Sequence, residues 1–158
     1  MTRADTLIAA VQTRLALIRK GATLTVKGRA YTVRTDYGRD GCLTLRRQAP
    51  LTEKETELLN LFPALPQRQL ERAEFGLDRY RLEIAVDIAA RGRDAVATVT
   101  AVADDIRQAI ASDPRFGGLA RHAEVDFDGL NQELLGQAVA GVPTGRIIIE
   151  YTVNSGEV

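Results

Sequence analysis

Arg79-Tyr80-Arg81-Leu82-Glu83-Ile84-Ala85-Val86-Asp87-Ile88-Ala89 decides the fold, because apolar and polar residues alternate along it without a break. Tyr80, Leu82, Ile84, Val86 and Ile88 fall on one face, and Arg81, Glu83, Ala85 and Asp87 on the other. Period two is the signature of a strand with one buried face. Working outward, Gly92-Arg93-Asp94 opens a long helix in which Val96, Val99, Val102, Ala103, Ile106 and Ile110 make an apolar stripe, with Asp94 as N-cap. Asp113-Pro114 and Gly117-Gly118 end that helix, since proline cannot continue it and glycine accepts left-handed dihedrals. His122–Asp128 then reads as a strand with Ala123, Val125 and Phe127 inward. Arg146–Val153 reads as a closing strand in which Ile148 interrupts the alternation, as cover on both sides would allow.

The N-terminal part is patterned as well. Leu7, Ile8, Val11, Leu15 and Ile18 predict a helix over Asp5–Lys20, capped by Asp5 and ended by Gly21. Thr23–Lys27, Ala30–Arg34 and Cys42–Arg46 read as a small antiparallel meander, its first turn built on Gly28. Thr52–Phe62 reads as a short helix with a Thr52/Glu55 capping box and the apolar set Leu58, Leu59 and Phe62, stopped by Pro63 and Pro66. Gln67–Gly76 is expected to be an extended arm or edge strand. Gly129–Gly145 is a connection too long for a tight hairpin, of the length that loops with a function have. The expectation is one α+β domain over residues 1–158: a mixed, mostly antiparallel sheet packed against two long helices, with an added small β meander.

Composition narrows the function. Lysine plus arginine equals aspartate plus glutamate, 21 of each, and hydrophobic residues make up 45%. Zero net charge argues against a dedicated nucleic-acid binder, whose affinity comes from neutralising phosphates. Arg68, Arg72, Arg79, Arg81, Arg91 and Arg93 are interleaved with Glu71, Glu74, Asp78, Glu83, Asp87 and Asp94, which points to ion pairs rather than a phosphate track. One cysteine permits no intramolecular disulfide, and a reducing compartment is the simpler expectation. The N-terminus shows no signal-peptide apolar run, and no stretch approaches 18 consecutive apolar residues.

The catalytic inventory is thin. Walker, dinucleotide-binding, nucleophile-elbow and zinc-protease motifs are absent from the sequence, so no enzymatic activity and no cofactor are expected. With one histidine and one cysteine, a nucleophile–base pair would have to join His122 to Cys42. His122, Glu124, Asp126 and Asp128 share one strand face, which offers donors for a divalent cation. The competing reading is a solvated face neutralised by Arg79, Arg81 or Arg146 on neighbouring strands.

The order of elements from Arg79 to Val153 resembles phage tail terminator proteins, the small α+β subunits that cap a tail tube. The likeness is carried by Tyr80–Ile88, by the helix exit Asp113-Pro114-Arg115-Phe116-Gly117-Gly118-Leu119-Ala120, by His122–Asp128 and by Ile147–Val153. Asp5–Lys20 and Phe62-Pro63-Ala64-Leu65-Pro66 also fit that layout, while Ala22–Glu57 departs from it. The resemblance implies a homohexameric ring that stops tube polymerisation, joined to the tail tube protein on one side and the head–tail connector protein on the other. It implies assembly in the host cytoplasm, a place in the virion tail, no membrane, and DNA only as passage through the ring lumen. Interface candidates are Arg81, Glu83 and Asp87, with Leu130, Gln132, Glu133, Gln137 and Val142 in a loop Leu130–Thr144 that orders on assembly. Pro114, Gly117 and Gly118 are turn-forming residues. Another neck or tail-tube ring component, a small dimeric enzyme of the hot-dog type and a regulatory binding module remain alternative readings.

Overall fold

The computed structural model of the chain describes residues 2–45, 57–70, 76–90, 92–127 and 145–154. Its elements in chain order are α1 (Arg3–Leu15), β1 (Thr23–Val26), β2 (Arg29–Thr32), β3 (Leu43–Leu45), β4 (Glu57–Pro63), β5 (Gln67–Arg68), β6 (Leu77–Ala90), α2 (Ala95–Ala111), β7 (His122–Asp126) and β8 (Gly145–Asn154). The fold is α+β and the main sheet is mostly antiparallel, with spatial order β3-β4-β6-β8-β7 and β5 added beside β6. Among the described residues only the β3–β4 strand pair is parallel.

The alternating strand works as its pattern demands. Leu82, Ile84, Val86 and Ile88 are buried on the inner face, opposite Ile149 and Ile147 of β8 and Val86-facing Leu61 and Leu59 of β4. Helix α2 lies on this face against β6 and β7, and α1 packs beside α2. One apolar cluster joins both helices, the β1–β2 hairpin and the inner face of the sheet. The outer face carries a second, small apolar contact, Leu58 against Ala89.

Five expectations need correction. Helix α1 begins one residue after Thr2, which is the N-cap, and Asp5 closes a reciprocal capping box with it from the third helical position. The helix stops at Leu15 rather than Lys20. Gly38 bonds the Ile18 carbonyl at 2.9 Å, and a Cβ on Gly38 would lie 2.4 Å from the Leu15 carbonyl oxygen. The last apolar residue, Ile18, is still buried, but in a tight turn that this approach of a second chain segment requires. Gly21 serves the bend into β1, bonding the Val33 carbonyl, and does not cap the helix.

The meander is reduced to the β1–β2 hairpin. Lys27 and Gly28 both have positive φ, the pair of dihedrals that a two-residue turn between twisted strands needs. β3 instead joins the main sheet beside β4. The largest error is Thr52–Phe62, read as a helix: residues 57–63 are strand β4, and the Thr52/Glu55 pair lies outside the described residues. Leu58-Leu59-Asn60-Leu61 is buried throughout because β4 is an interior strand packed on both sides, and such strands show an apolar run instead of alternation.

A buried carboxylate ties these parts together. Asp105 on α2 is fully buried, and its two oxygens accept from the Tyr31 hydroxyl (2.6 Å), the Arg34 amide (3.1 Å), the Thr35 amide (2.8 Å) and the Thr35 hydroxyl (2.7 Å). Removing the acceptor strands four donors in a dry site. Asp105→Ala is therefore expected to cost about 3 kcal/mol, and Asp105→Asn about 2 kcal/mol, because its NH₂ would face two of those donors. Half-exposed Asp104→Ala, which removes only the surface pairs with Arg34 and Arg107, serves as the control. Urea denaturation measures the difference, and an Asp105→Ala midpoint equal to that of the control contradicts the assignment.

Candidate functional site

Two surfaces stand out from the scaffold: the charged outer face of the sheet and an apolar groove at one end of it. On the outer face Arg81 pairs with Glu83 at 3.0 Å, and Glu83 with Arg146 at 3.3 Å. Arg146 in turn reaches Asp126 at 3.3 Å. The result is a chain of charges running from β6 across β8 to β7. All four side chains are partly exposed, so each pair contributes little stability; together they set the face's charge pattern. Arg81 and Glu83 are thus brought together as expected, with mixed signs cancelling locally.

Asp87 lies further along the same face of β6, opposite Asn60 of β4, and outside that chain of pairs. Its Oδ1 is shut off from solvent without a hydrogen-bond partner among the described residues. Burial pushes its carboxyl up from the usual aspartate value, with Asn60 pulling the other way. Leu130, Gln132, Glu133, Gln137 and Val142 lie outside the described residues, as does Asp128.

The Asp113–Ala120 turn holds the helix exit. Gly117 and Gly118 have φ of 68° and 98°, and Phe116, also left-handed, buries its ring. The Asp113 carboxylate accepts from the Gly117 amide at 2.9 Å and from Arg14 of α1 at 3.1 Å, so one side chain closes the turn and fastens it to the first helix. Pro114, Gly117 and Gly118 are therefore turn residues set against the rest of the fold.

The structure separates the residues of the other chemical readings. Cys42 adjoins β3 and His122 begins β7, at opposite edges of the sheet and four strand spacings apart, about 19 Å. Burial pushes the Cys42 thiol up to about 11, which suppresses the thiolate that nucleophilic chemistry needs. A Cys42–His122 dyad is excluded by this placement. Of the acidic strand face, Asp126 is engaged by Arg146, as the neutralised-face reading expects. Among the described residues no three His, Cys, Asp or Glu side chains converge as metal ligands.

The groove was not foreseen from the sequence. It encloses about 470 Å³ between the first two turns of α1 (Ala4, Ile8), the Pro63–Pro66 segment and the inner face of β6 and β8. Tyr80 and Tyr151, cross-strand partners, stack within it with ring centroids 5.6 Å apart and planes 17° apart. The chain that leaves this wall is held firmly: the Ala64 amide bonds the Glu83 carbonyl at 2.9 Å, the Gln69 amide bonds the Arg79 carbonyl at 2.7 Å, and Arg68 pairs with buried Asp78 at 2.9 Å. Leu65 is nevertheless 87% exposed. Among the described residues four large apolar side chains are exposed; three of them, Phe62, Leu65 and Leu70, are near one another in sequence, but only Leu65 lines the groove, since Phe62 faces the outer side of the sheet. The available signal was the tight Pro63/Pro66 bracket around a leucine, which stops β4 and leaves Leu65 with no strand to pack on.

A second concavity, between the hairpin and α2, is lined by Lys27, Arg29 and Arg107. Arg107 is engaged there by Asp104 at 2.9 Å and lies over the Phe127 ring at 5.1 Å, fixing the end of β7 to α2. Comparison with protein-family models, with curated proteins and with solved structures finds no match to the chain.

The raised pKa of Asp87 gives a test of the outer face. An acid whose folded pKa exceeds its unfolded value stabilises the fold when protonated. That contribution is present below the unfolded pKa and is lost as pH rises through the folded one. Asp87→Asn is expected to melt above the wild type near neutral pH, the gap closing below about pH 4. Thermal melts across the acidic range check this; a gap that grows on acidification reverses the sign and overturns it.

Proposed function

We propose that the chain is a structural subunit of a phage or prophage tail: the terminator that assembles into a homohexameric ring and closes the tail tube. The observation that supports this reading is a preformed apolar groove at one end of the sheet with the exposed Leu65 on its wall. An apolar groove with aromatic walls and polar residues at its edge, here Thr2 and Asp5, suits a protein–protein contact. The order of elements and the Asp113–Ala120 helix exit add the resemblance described above.

In this reading one face of the ring docks on the last ring of tube protein, so that no further subunit can add. The opposite face meets the head–tail connector protein, and DNA passes through the lumen. The protein performs no catalysis. It would be present in the host cytoplasm during assembly and afterwards in the virion tail. A closed ring requires a heterologous interface, in which one patch of a subunit meets a different patch of the next. Arg81, Glu83 and Asp87 on the outer face, and Leu130–Thr144 with Gln132, Glu133 and Gln137, are the proposed contact residues besides the groove.

Light scattering of the purified protein, with negative-stain images, is expected to give six protomers in a ring, alone or on tube assembled from its tube protein. Deleting the middle of Leu130–Thr144 is expected to leave the subunit folded and to abolish tail completion. Tails of normal length that still join heads would refute the role of that segment. A strictly dimeric protein carrying a bound acyl ligand would refute the ring itself.

A further inference from the structure

We propose that the hollow between the β1–β2 hairpin and α2, lined by Lys27, Arg29 and Arg107, binds a compact oligophosphate, an anion carrying two or more phosphate groups. The site lies within one subunit and does not depend on the ring reading.

The hollow is preformed. It encloses about 620 Å³, with Lys27 and Arg29 supplied by the hairpin and Arg107, Gln108 and Ala111 by α2. Its two walls are locked together from behind, because Tyr31, which also lines the hollow, donates to the buried Asp105 carboxylate of α2 at 2.6 Å. The hairpin turn, with Lys27 and Gly28 both left-handed, fixes where the tip stands. Arg107 is held as well, between Asp104 at 2.9 Å and the Phe127 ring at 5.1 Å. Cations mounted on walls that are already joined lose less freedom when an anion arrives.

What the hollow lacks is counter-charge. Among the described residues no acidic side chain lines it. The carboxylates behind it are already engaged: Asp104 is shared by Arg34 and Arg107, and Asp105 is buried under four donors. Lys27 and Arg29 make no ion pair among the described residues, whereas Arg81 and Arg146 on the outer face of the sheet are both paired. In a chain of zero net charge, two unneutralised cations beside a third are a local excess. Phosphate suits them, since a guanidinium grips its oxygens with paired donors and lysine adds a point charge. Reaching cations on two separate elements calls for linked phosphates rather than one. A DNA duplex fits less well: it presents its charge along a rod, about one per 1.7 Å of axis, and meets few of the cations in a hollow. The competing role for these cations is to face the negative end of α2, whose last turn has no basic residue of its own.

Calorimetry of the full chain tests this, with inorganic phosphate, pyrophosphate and tripolyphosphate as probes in magnesium-free buffer. Tripolyphosphate is expected to bind saturably at one site per chain, about tenfold or more tighter than inorganic phosphate, and to weaken as salt rises. The double variant Lys27→Gln/Arg29→Gln is expected to lose about tenfold or more of that affinity with an unchanged melting temperature, since both side chains are exposed. The charge-conserving pair Lys27→Arg/Arg29→Lys is expected to retain binding. Arg93→Gln, which removes an exposed cation elsewhere, is the control and is expected to change nothing. Absence of saturable heat from the wild type would overturn the proposal. Equal weakening by the control would do the same, marking the attraction as non-specific. A double variant that melts below the wild type, with no binding to either, would assign the cations to the end of α2 instead. A short DNA duplex that binds the wild type more tightly than tripolyphosphate, and loses that affinity in the double variant, would give the hollow to nucleic acid and overturn the oligophosphate assignment.

Discussion

The Asp105 carboxylate sits on the face of α2 turned toward the hairpin and takes four hydrogen bonds from Tyr31, Arg34 and Thr35. A charge in so dry a place is tolerable only when it is surrounded by donors, and here the donors come from a single stretch of chain that runs from Tyr31 in β2 to Thr35 just past it. Once that stretch is fixed, the residues that follow it have little freedom. Tyr37 puts its hydroxyl on the Ala89 carbonyl at 3.0 Å, and Gly38 closes on the end of α1. The chain is then delivered to the sheet edge where β3 runs beside β4. Helix, hairpin and sheet are thus held in register by a polar contact inside an otherwise apolar core. Burial of apolar surface drives the collapse, but it is non-directional and does not by itself choose this route.

Legibility of the fold followed how each element is buried. β6, β7 and β8 could be read because each has one inner face; α1 and α2 because each has one stripe. β4 could not, because Leu58, Asn60 and Phe62 face outward between neighbours while Leu59 and Leu61 face the core, and two-sided burial erases the alternation. A helix template then fits the remaining leucines as well as a strand does. The end of α1 was also beyond sequence reading. It is set by Gly38, some twenty residues downstream, and local propensity carries no information about such an approach. Asp105 was hidden for a related reason, since an aspartate on an amphipathic helix ordinarily marks the wet face.

The candidate site was legible in its polar half only. Arg81, Glu83 and Asp87 share a face by period two alone, and their placement on the outer side of β6 follows directly from the alternation that defines the strand. Which of them would pair was not legible, because Arg146 arrives from β8 through a register that depends on the whole sheet. The groove required three distant pieces to meet: the first two turns of α1, the proline-bracketed segment after β4 and the far ends of β6 and β8. None of the three is unusual alone. Their coincidence is a property of the fold.

The two kinds of surface differ in what they offer a partner. A sheet edge invites pairing with another sheet, and among the described residues the two outermost strands are poor templates: β3 is three residues long, and β7 presents exposed His122 and Glu124 on one of its faces. The outer face between them is crossed by ion pairs that a partner would have to desolvate, at a cost that their mutual attraction does not repay in a dry interface. The apolar groove carries no such penalty, because burying Leu65 and the walls around it removes from water surface that gains nothing by staying there. If subunits associate, the favourable free energy is concentrated at that end of the sheet, while the charged face and blunted edges restrict where else they can meet. Affinity and geometry are thereby assigned to different residues, and a contact confined to one end of a strand is directional. That directionality, more than any pairing of edges, is what a closed ring of identical subunits requires.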